Sequence, residues 1–368
     1  MGDITLALCG DVMLGRGIDQ VLPHPVDPRL YEEQATSALD YVALAESANG
    51  PILRNGGFSY VWGDALAALD AARPDLRIVN LETSITKNGR AEPKCINYRM
   101  SPDNVPCLSS AKIDCCVLAN NHVRDWGARG LLDTLDALEK AGIGVAGAGK
   151  DAAQAAAPAV FEMPGKGRIL VFAFGAANSG ISRDAAAGPS KPGVNFLQHL
   201  SSYTVDRILE RVAGLRRPGV HLVASIHWGG NWGYDVPDEQ RRFARDLIDR
   251  AGFDVIHGHS SHHPKAIEVH HGKLILYGCG DFLNDYEGVT PYEPYRDDLA
   301  VAYLPRLSSN EGRLLGCEML PFKIRNFRLQ RPAKEDVAWL QQTLDAESAQ
   351  FGTRIYLQDD NRLALRWR

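Results

Sequence analysis

A surplus of basic charge is missing from this 368-residue chain: 40 Lys and Arg stand against 45 Asp and Glu, a net charge of -5. Lys and Arg form no long run either, so a nucleic-acid backbone is not an expected partner. Also missing is any apolar stretch of roughly eighteen residues, the least a membrane-spanning helix needs. The opening Met-Gly-Asp-Ile-Thr-Leu-Ala-Leu-Cys has neither a basic start nor a long apolar run, so neither a signal peptide nor a membrane anchor is expected. The seven cysteines (Cys9, Cys95, Cys107, Cys115, Cys116, Cys279, Cys317) are odd in number and include no CxxC pair. Several lie in apolar, strand-like runs, which points to buried free thiols in a reducing, cytoplasmic setting. No internal repeat is present.

What is present is an ordinary globular composition, 45% hydrophobic and 23% charged, ample for a core. Short apolar runs at 4–9, 76–81, 115–119, 143–146, 169–174, 221–226 and 253–256 read as strands. Between them, 62–72, 130–141, 205–215 and 238–251 carry helical periodicity, and Pro74 and Gly142 act as stop signals. The style then changes. Segments 266–270 and 274–277 flank His271-Gly272, a hairpin signal; 299–304 and 316–321 read as a second antiparallel pair. A helix at 334–347 and strands near Ile355 and Leu363 close the chain. The pattern predicts an α/β fold with a mixed sheet, with residues 1–330 as the catalytic domain and 331–368 packed on the same domain. Residues 175–192, rich in Gly, Ala and Ser, read as a mobile loop, and 23–30 as a second irregular stretch.

Polar residues follow apolar strands at five places: Gly10-Asp11, Asn80-Leu81-Glu82, Asn120-Asn121-His122, His227-Trp228-Gly229, and His257-Gly258-His259 continuing to His262-His263. Ligands of α/β sheets bind at the carboxyl ends of strands. Carboxylate, amide and imidazole groups gathered there are what a divalent ion needs. A single histidine after a strand is more often a hydrogen-bonded structural residue; five such fragments favour a metal site. His257, the last residue of its apolar run, reads as structural, and His270 and His271 as solvated turn residues.

These motifs, together with Arg16, Asn97-Tyr98-Arg99, Asp125, Gly127, Pro237 and Gln240, resemble in order and spacing the CapA family of poly-γ-glutamate capsule synthesis proteins, from Gly10 to about Tyr286. The resemblance implies a calcineurin-like metallophosphoesterase fold, a central β-sandwich of mixed sheets flanked by helices with the metal site at one sheet edge. This chain departs from the phosphoesterase pattern. Asp11 is followed by Val12 and Met13 where Asp-x-His would stand, and Asn80 and Glu82 occupy the place of a bridging Asp. Two-metal phosphoryl transfer needs both ions, so phosphoester hydrolysis is disfavoured and one divalent ion (Ca, Mn, Mg or Zn) is expected. Asp11, Glu82, Asn121, His227 and His259 are the expected ligands.

Proton-transfer candidates are His122, Asp125, His227, His259, His262 and Asp11. Asp125 either orients His122 or caps the turn before Trp126-Gly127. Arg99 is a candidate for holding a substrate carboxylate, the alternative being a surface salt bridge. Trp126, Trp228, Trp232 and Tyr234 offer an aromatic wall for a peptide, or core packing. Asp281, Asn284 and Asp285 either reach the same pocket or make loop-end hydrogen bonds. The leading expectation is a metal-dependent acid/base enzyme acting on a peptide: within the CapA-like group the chain is similar to lasso-peptide epimerases, which invert the α-carbon of a C-terminal residue. The alternatives are a capsule-type role or amide hydrolysis on poly-γ-glutamate, phosphoester hydrolysis, and a metal-stabilised binding protein without turnover.

Overall fold

In the computed structural model, which describes residues 2–289 and 293–368, two sheets share one core. The larger sheet carries, side by side, the C-terminal strands Thr353–Leu357 and Leu363–Trp367, then Leu314–Ile324, Leu299–Leu307, Ile4–Val12, Leu76–Leu81, Cys115–Val117 and Gly144–Ala146. The last four of these run parallel, and Asp281–Leu283 adds to Ile4–Val12, also in parallel. The second sheet is built on the parallel strands Gly167–Ala176, Val220–His227, Val255–His259 and Lys273–Leu276.

Alternation along the second sheet explains the layers. Val171, Ala173, Val223, Val255 and Leu274 point into the core shared with Ile4, Leu6 and Leu8 of the first sheet. Leu170, Phe172, Leu222, Ala224 and Ile226 point the other way, onto the helices Ser202–Val212 and Asp238–Asp249 through Val205, Ile208, Phe243 and Leu247. The result is a mixed α/β protein with two sheets face to face and helices outside them. The C-terminal helix Lys334–Ala349 buries Val337, Leu340 and Leu344 in the common core. No helix among the described residues is long and apolar enough to cross a membrane, and the seven cysteines are free.

Several elements differ from the sequence expectation. The helix Ala38–Asn49 was not foreseen; it opens on a Ser37 capping box, but its buried face is only Ala38, Val42 and Ala45, too thin for a periodicity signal. The edge strand Ala159–Met163 was also missed, because two of its residues are exposed. The stretch 175–192 is more ordered than a mobile loop: it continues the strand to Ala176, makes turns at Ala177–Ser179 and Arg183–Ala185, and buries Ser179 and Ile181.

Candidate metal and proton-transfer site

Parallel register assembles the site. Asp11 is paired with Asn80 on one side and with Asp281 on the other. In the second sheet, His227 is paired with His259. Gly10 makes the approach possible, because a Cβ there would lie 1.8 Å from the Gly280 carbonyl oxygen. The Asp11 amide donates to that same carbonyl at 3.0 Å. Both sheets deliver the ends of their parallel strands to one place.

Around Asp11 the groups are fully buried. Asn80 Nδ2 donates to Asp11 Oδ1 at 2.7 Å and to Glu82 Oε2 at 3.1 Å. The Ser260 amide donates to Asp11 Oδ2 at 3.2 Å. Burial, and then the neighbouring Asp281 charge, push the Asp11 carboxyl up to about 7. Burial, Asp11 and Asp281 likewise hold Glu82 well above the usual carboxylate range. Carboxylates crowded this way favour either a shared proton or a cation.

A chain of hydrogen bonds fixes the imidazoles. His257 Nε2 faces the Cys9 carbonyl at 3.0 Å, which can only accept, so its Nδ1 is the acceptor. Ser225 Oγ sits 3.0 Å from that Nδ1 and 2.9 Å from His259 Nε2. The Ser225 proton therefore goes to His257, and His259 Nε2–H donates to Ser225. On the other side, His227 Nε2 donates to Asn121 Oδ1 at 3.0 Å. Both Nδ1 atoms are left with lone pairs, and they face each other at 2.9 Å. Two lone pairs at that separation need a cation between or beside them. Asp11 Oδ1 is 3.7 Å from His259 Nδ1, and Asp11, His227 and His259 bring ligand atoms within 4.8 Å of one another. Burial holds His227 and His259 well below their usual range, which keeps them neutral as ligands require. The donor set fits a divalent ion.

Beside this centre stand two further histidines of opposite character. His122 Nδ1 is 2.7 Å from Asp125 Oδ2, and its Nε2 is 3.8 Å from Glu82 Oε1. Burial pushes His122 down to about 4, although Asp125 works against this. Lys94 Nζ ties Asp125 Oδ1 (2.6 Å) to the Asn121 carbonyl (2.8 Å), and the Tyr98 amide donates to Asp125 Oδ2 (2.6 Å). His262 Nδ1 is 2.9 Å from Asp281 Oδ1. Burial opposes charge on His262, but Asp281 and Asp11 overcome it and raise its affinity for a proton. Asp11, His262 and Asp281 form a second group of close ligand atoms that shares Asp11.

The expected residues thus fall into three places. Asp11, Glu82, Asn121, His122, Asp125, His227, His259 and His262 come together, with Asn121 orienting His227 through its side-chain oxygen. Trp232 lies against His262 with ring centroids 5.2 Å apart, and Tyr234 against His263 at 4.6 Å, one layer further out. The remaining three are elsewhere. Trp228 is buried behind the sheet, where its Nε1 donates to the Tyr277 carbonyl; this corrects its place in the aromatic wall, since adjacent strand residues face opposite ways and His227 takes the site face. The Arg99 guanidinium stacks on Trp126 at 3.8 Å and donates to the Asp27 carbonyl, so both leave the histidine cluster for the rim formed by residues 23–30.

Sequence reasoning placed Asn80 in a site motif and Tyr98 in a family motif without giving either a role, and it missed Lys94, Ser225 and Tyr286; the Tyr98 and Tyr286 hydroxyls meet at 3.2 Å beside His122 and His262. Behind them Arg16 is buried. It pairs with Asp285 (2.9 and 2.5 Å), and its guanidinium lies over the Tyr41 and Tyr98 rings at 3.6 and 4.6 Å. Of the three residues left open, Asp281 reaches the site, Asn284 Nδ2 donates to it at 2.8 Å, and Asp285 serves Arg16. Only the Asn80-Leu-Glu82 alternation carried a sequence signal, since Asn80 and Glu82 must share a face.

Residues 5–286 match the family model of the bacterial capsule synthesis protein PGA_cap. The chain belongs to that family. It is 43% identical over 362 residues to a probable polyglutamine synthesis accessory protein of Mycobacterium tuberculosis, covering 98% of this chain and 95% of that protein. It is 26% identical over 363 residues to the PGA biosynthesis protein CapA of Bacillus subtilis, covering 98% and 81%. It is also 26% identical over 286 residues to the capsule biosynthesis protein CapA of Bacillus anthracis, covering 77% and 60%. The matched PGA_cap segment holds each of the site residues described above, from Asp11 to Asp285.

Proposed function

We propose that this PGA_cap-family protein is a metal-dependent enzyme that hydrolyses amide bonds of a poly-glutamate chain during its synthesis. The observation that carries the metal dependence is the pair of facing Nδ1 lone pairs of His227 and His259 beside Asp11. The substrate class rests on the polyglutamine and PGA synthesis names of the relatives, which favour this reading over peptide epimerisation. Positive groups on the Asn121 side suit an acidic polymer: Arg124 and Lys191 converge on the carbonyl of Asp184.

A divalent ion held by Asp11, His227 and His259 would polarise the amide carbonyl as a Lewis acid. Asp125 accepts His122 Nδ1–H and leaves Nε2 as the base that takes a proton from the attacking water. His262, whose hold on a proton Asp281 strengthens against burial, returns a proton to the departing amine. The Asn231 amide, 3.0 Å from His262 Nε2, can present its oxygen or its NH2 to either protonation state. Water plus amide gives one carboxylic acid and one amine, the acid then passing its proton to the amine to leave a carboxylate and an ammonium, and the two imidazoles exchange protonation states.

The test is incubation of metal-loaded and metal-stripped protein with poly-γ-glutamate and short glutamyl peptides in deuterated water. New amino groups and shorter chains, dependent on metal, are expected. Deuterium at an α-carbon without cleavage would replace this reading with epimerisation, and neither product would leave a binding role.

A further inference from the structure

On the far side of the helix Asp238–Asp249, its last carboxylate meets two imidazoles. His270 ends the strand Ile267–His270, and His271 begins the turn into Lys273–Leu276. His270 Nε2 lies 3.0 and 2.9 Å from the two Asp249 oxygens, and His271 Nδ1 lies 2.9 Å from Oδ1. The two rings are stacked with centroids 4.1 Å apart. One ligand atom from each residue falls within 4.8 Å of the other two.

We propose that Asp249, His270 and His271 form a surface site for a borderline divalent transition cation (Ni2+, Cu2+ or Zn2+), separate from the strand-end centre. Three observations support it. First, nitrogen-to-oxygen separations of 2.9–3.0 Å are those of neighbouring corners around an ion with bonds of about 2.0–2.1 Å at near right angles. Each imidazole nitrogen therefore stands to the carboxylate as neighbouring corners do in an octahedral or tetragonal site, the geometry Ni2+ and Cu2+ prefer with imidazole and carboxylate. Second, a carboxylate stands behind the His270 ring: Glu268 Oε1 is 3.9 Å from Nδ1 and is itself held by Arg245 and by the Tyr277 hydroxyl. At that distance Glu268 makes no hydrogen bond to the ring but adds negative charge beside a metal-bound imidazole. Third, the site is open where water must complete the shell, with the His271 side chain 73% and Asp249 37% exposed. A cation there also meets the negative end of the helix dipole.

Such an ion would clamp the helix that follows the His227 loop to the hairpin that follows His262. The test is calorimetric titration of the full chain with Ni2+, comparing wild type with Asp249→Asn and with His271→Asn. Asparagine at 271 tolerates the positive φ of 48° found there. Wild type is expected to bind one more equivalent than either variant, and Cu2+ bound at that equivalent is expected to show nitrogen ligands in its EPR spectrum. An unchanged count in both variants would overturn the site and leave a carboxylate–imidazole hydrogen bond only. An Asp11→Asn variant keeps the two questions apart: it should lose the buried equivalent and retain this one.

Discussion

His227 and His259 face each other nitrogen to nitrogen across 2.9 Å, and the protons of both rings are already assigned to other partners. Ser225 makes half of that assignment. Ser225→Ala should free the His259 proton to move to Nδ1 and weaken metal binding by about 10- to 100-fold, as loss of partners behind a ligand does. Calorimetric affinity for Mn2+ or Zn2+ checks this, with circular dichroism to confirm the fold.

Proton release should accompany loading. The Asp11 carboxyl, raised to about 7 by burial and Asp281, holds a proton over much of the range from 4 to 7. An ion must displace it, so affinity should climb with pH through that window and level off above it. Titrations in buffers of different ionisation enthalpy would count the protons. Asp11→Asn should abolish both the release and the binding.

Asp125 sets the direction of His122. Asp125→Asn should lower kcat by about 10²- to 10⁴-fold, the scale of a general base, with little change in metal content. Cleavage rates on a glutamyl peptide together with metal analysis separate the two. A fall in both would mean that Asp125 supports the Asn121 loop through Lys94 instead.

Gly10 is where two backbones touch. Gly10→Ala places a methyl 1.8 Å from the Gly280 oxygen; the strand must shift, at a cost on the order of 1–3 kcal/mol. The urea midpoint should fall, and metal affinity with it, because Asp11 is the next residue.

Arg16 and Asp285 are buried together under Tyr41 and Tyr98. Arg16→Met leaves Asp285 without its partner and should destabilise by about 3–5 kcal/mol. The double variant Arg16→Met/Asp285→Leu should recover part of that loss, because Glu32 still lacks its cation and the Gly17 amide its acceptor. Chemical denaturation of the four proteins gives the coupling.

Much of this was legible in the sequence, for identifiable reasons. Strands such as Leu76–Leu81 and Val220–His227 are buried throughout or nearly so, and read as mainly apolar runs that lead into Glu82 and His227. What was not legible depends on which strands lie side by side. Asp281 reaches His262 because Asp281–Leu283 joins Ile4–Val12 in parallel, a pairing across 270 positions that no local pattern announces. Lys94 sits in an irregular stretch and acquires its role only when the Asn121 loop folds over it. Trp228, open between wall and core, could have been decided from the sequence: its neighbour His227 occupies the site face, so alternation alone assigns Trp228 to the opposite one.

Asp11 belongs to one sheet, His227 and His259 to the other. An ion bound by all three would be a clasp across the sandwich, present only when both halves are shut in their proper register. A slip of one residue in either sheet would turn its ligands to the opposite face. Filling the centre would therefore report on the whole assembly, and chain that is loaded would resist unfolding by RT ln(1 + [M]/Kd), about 2.7 kcal/mol at a hundredfold excess over Kd.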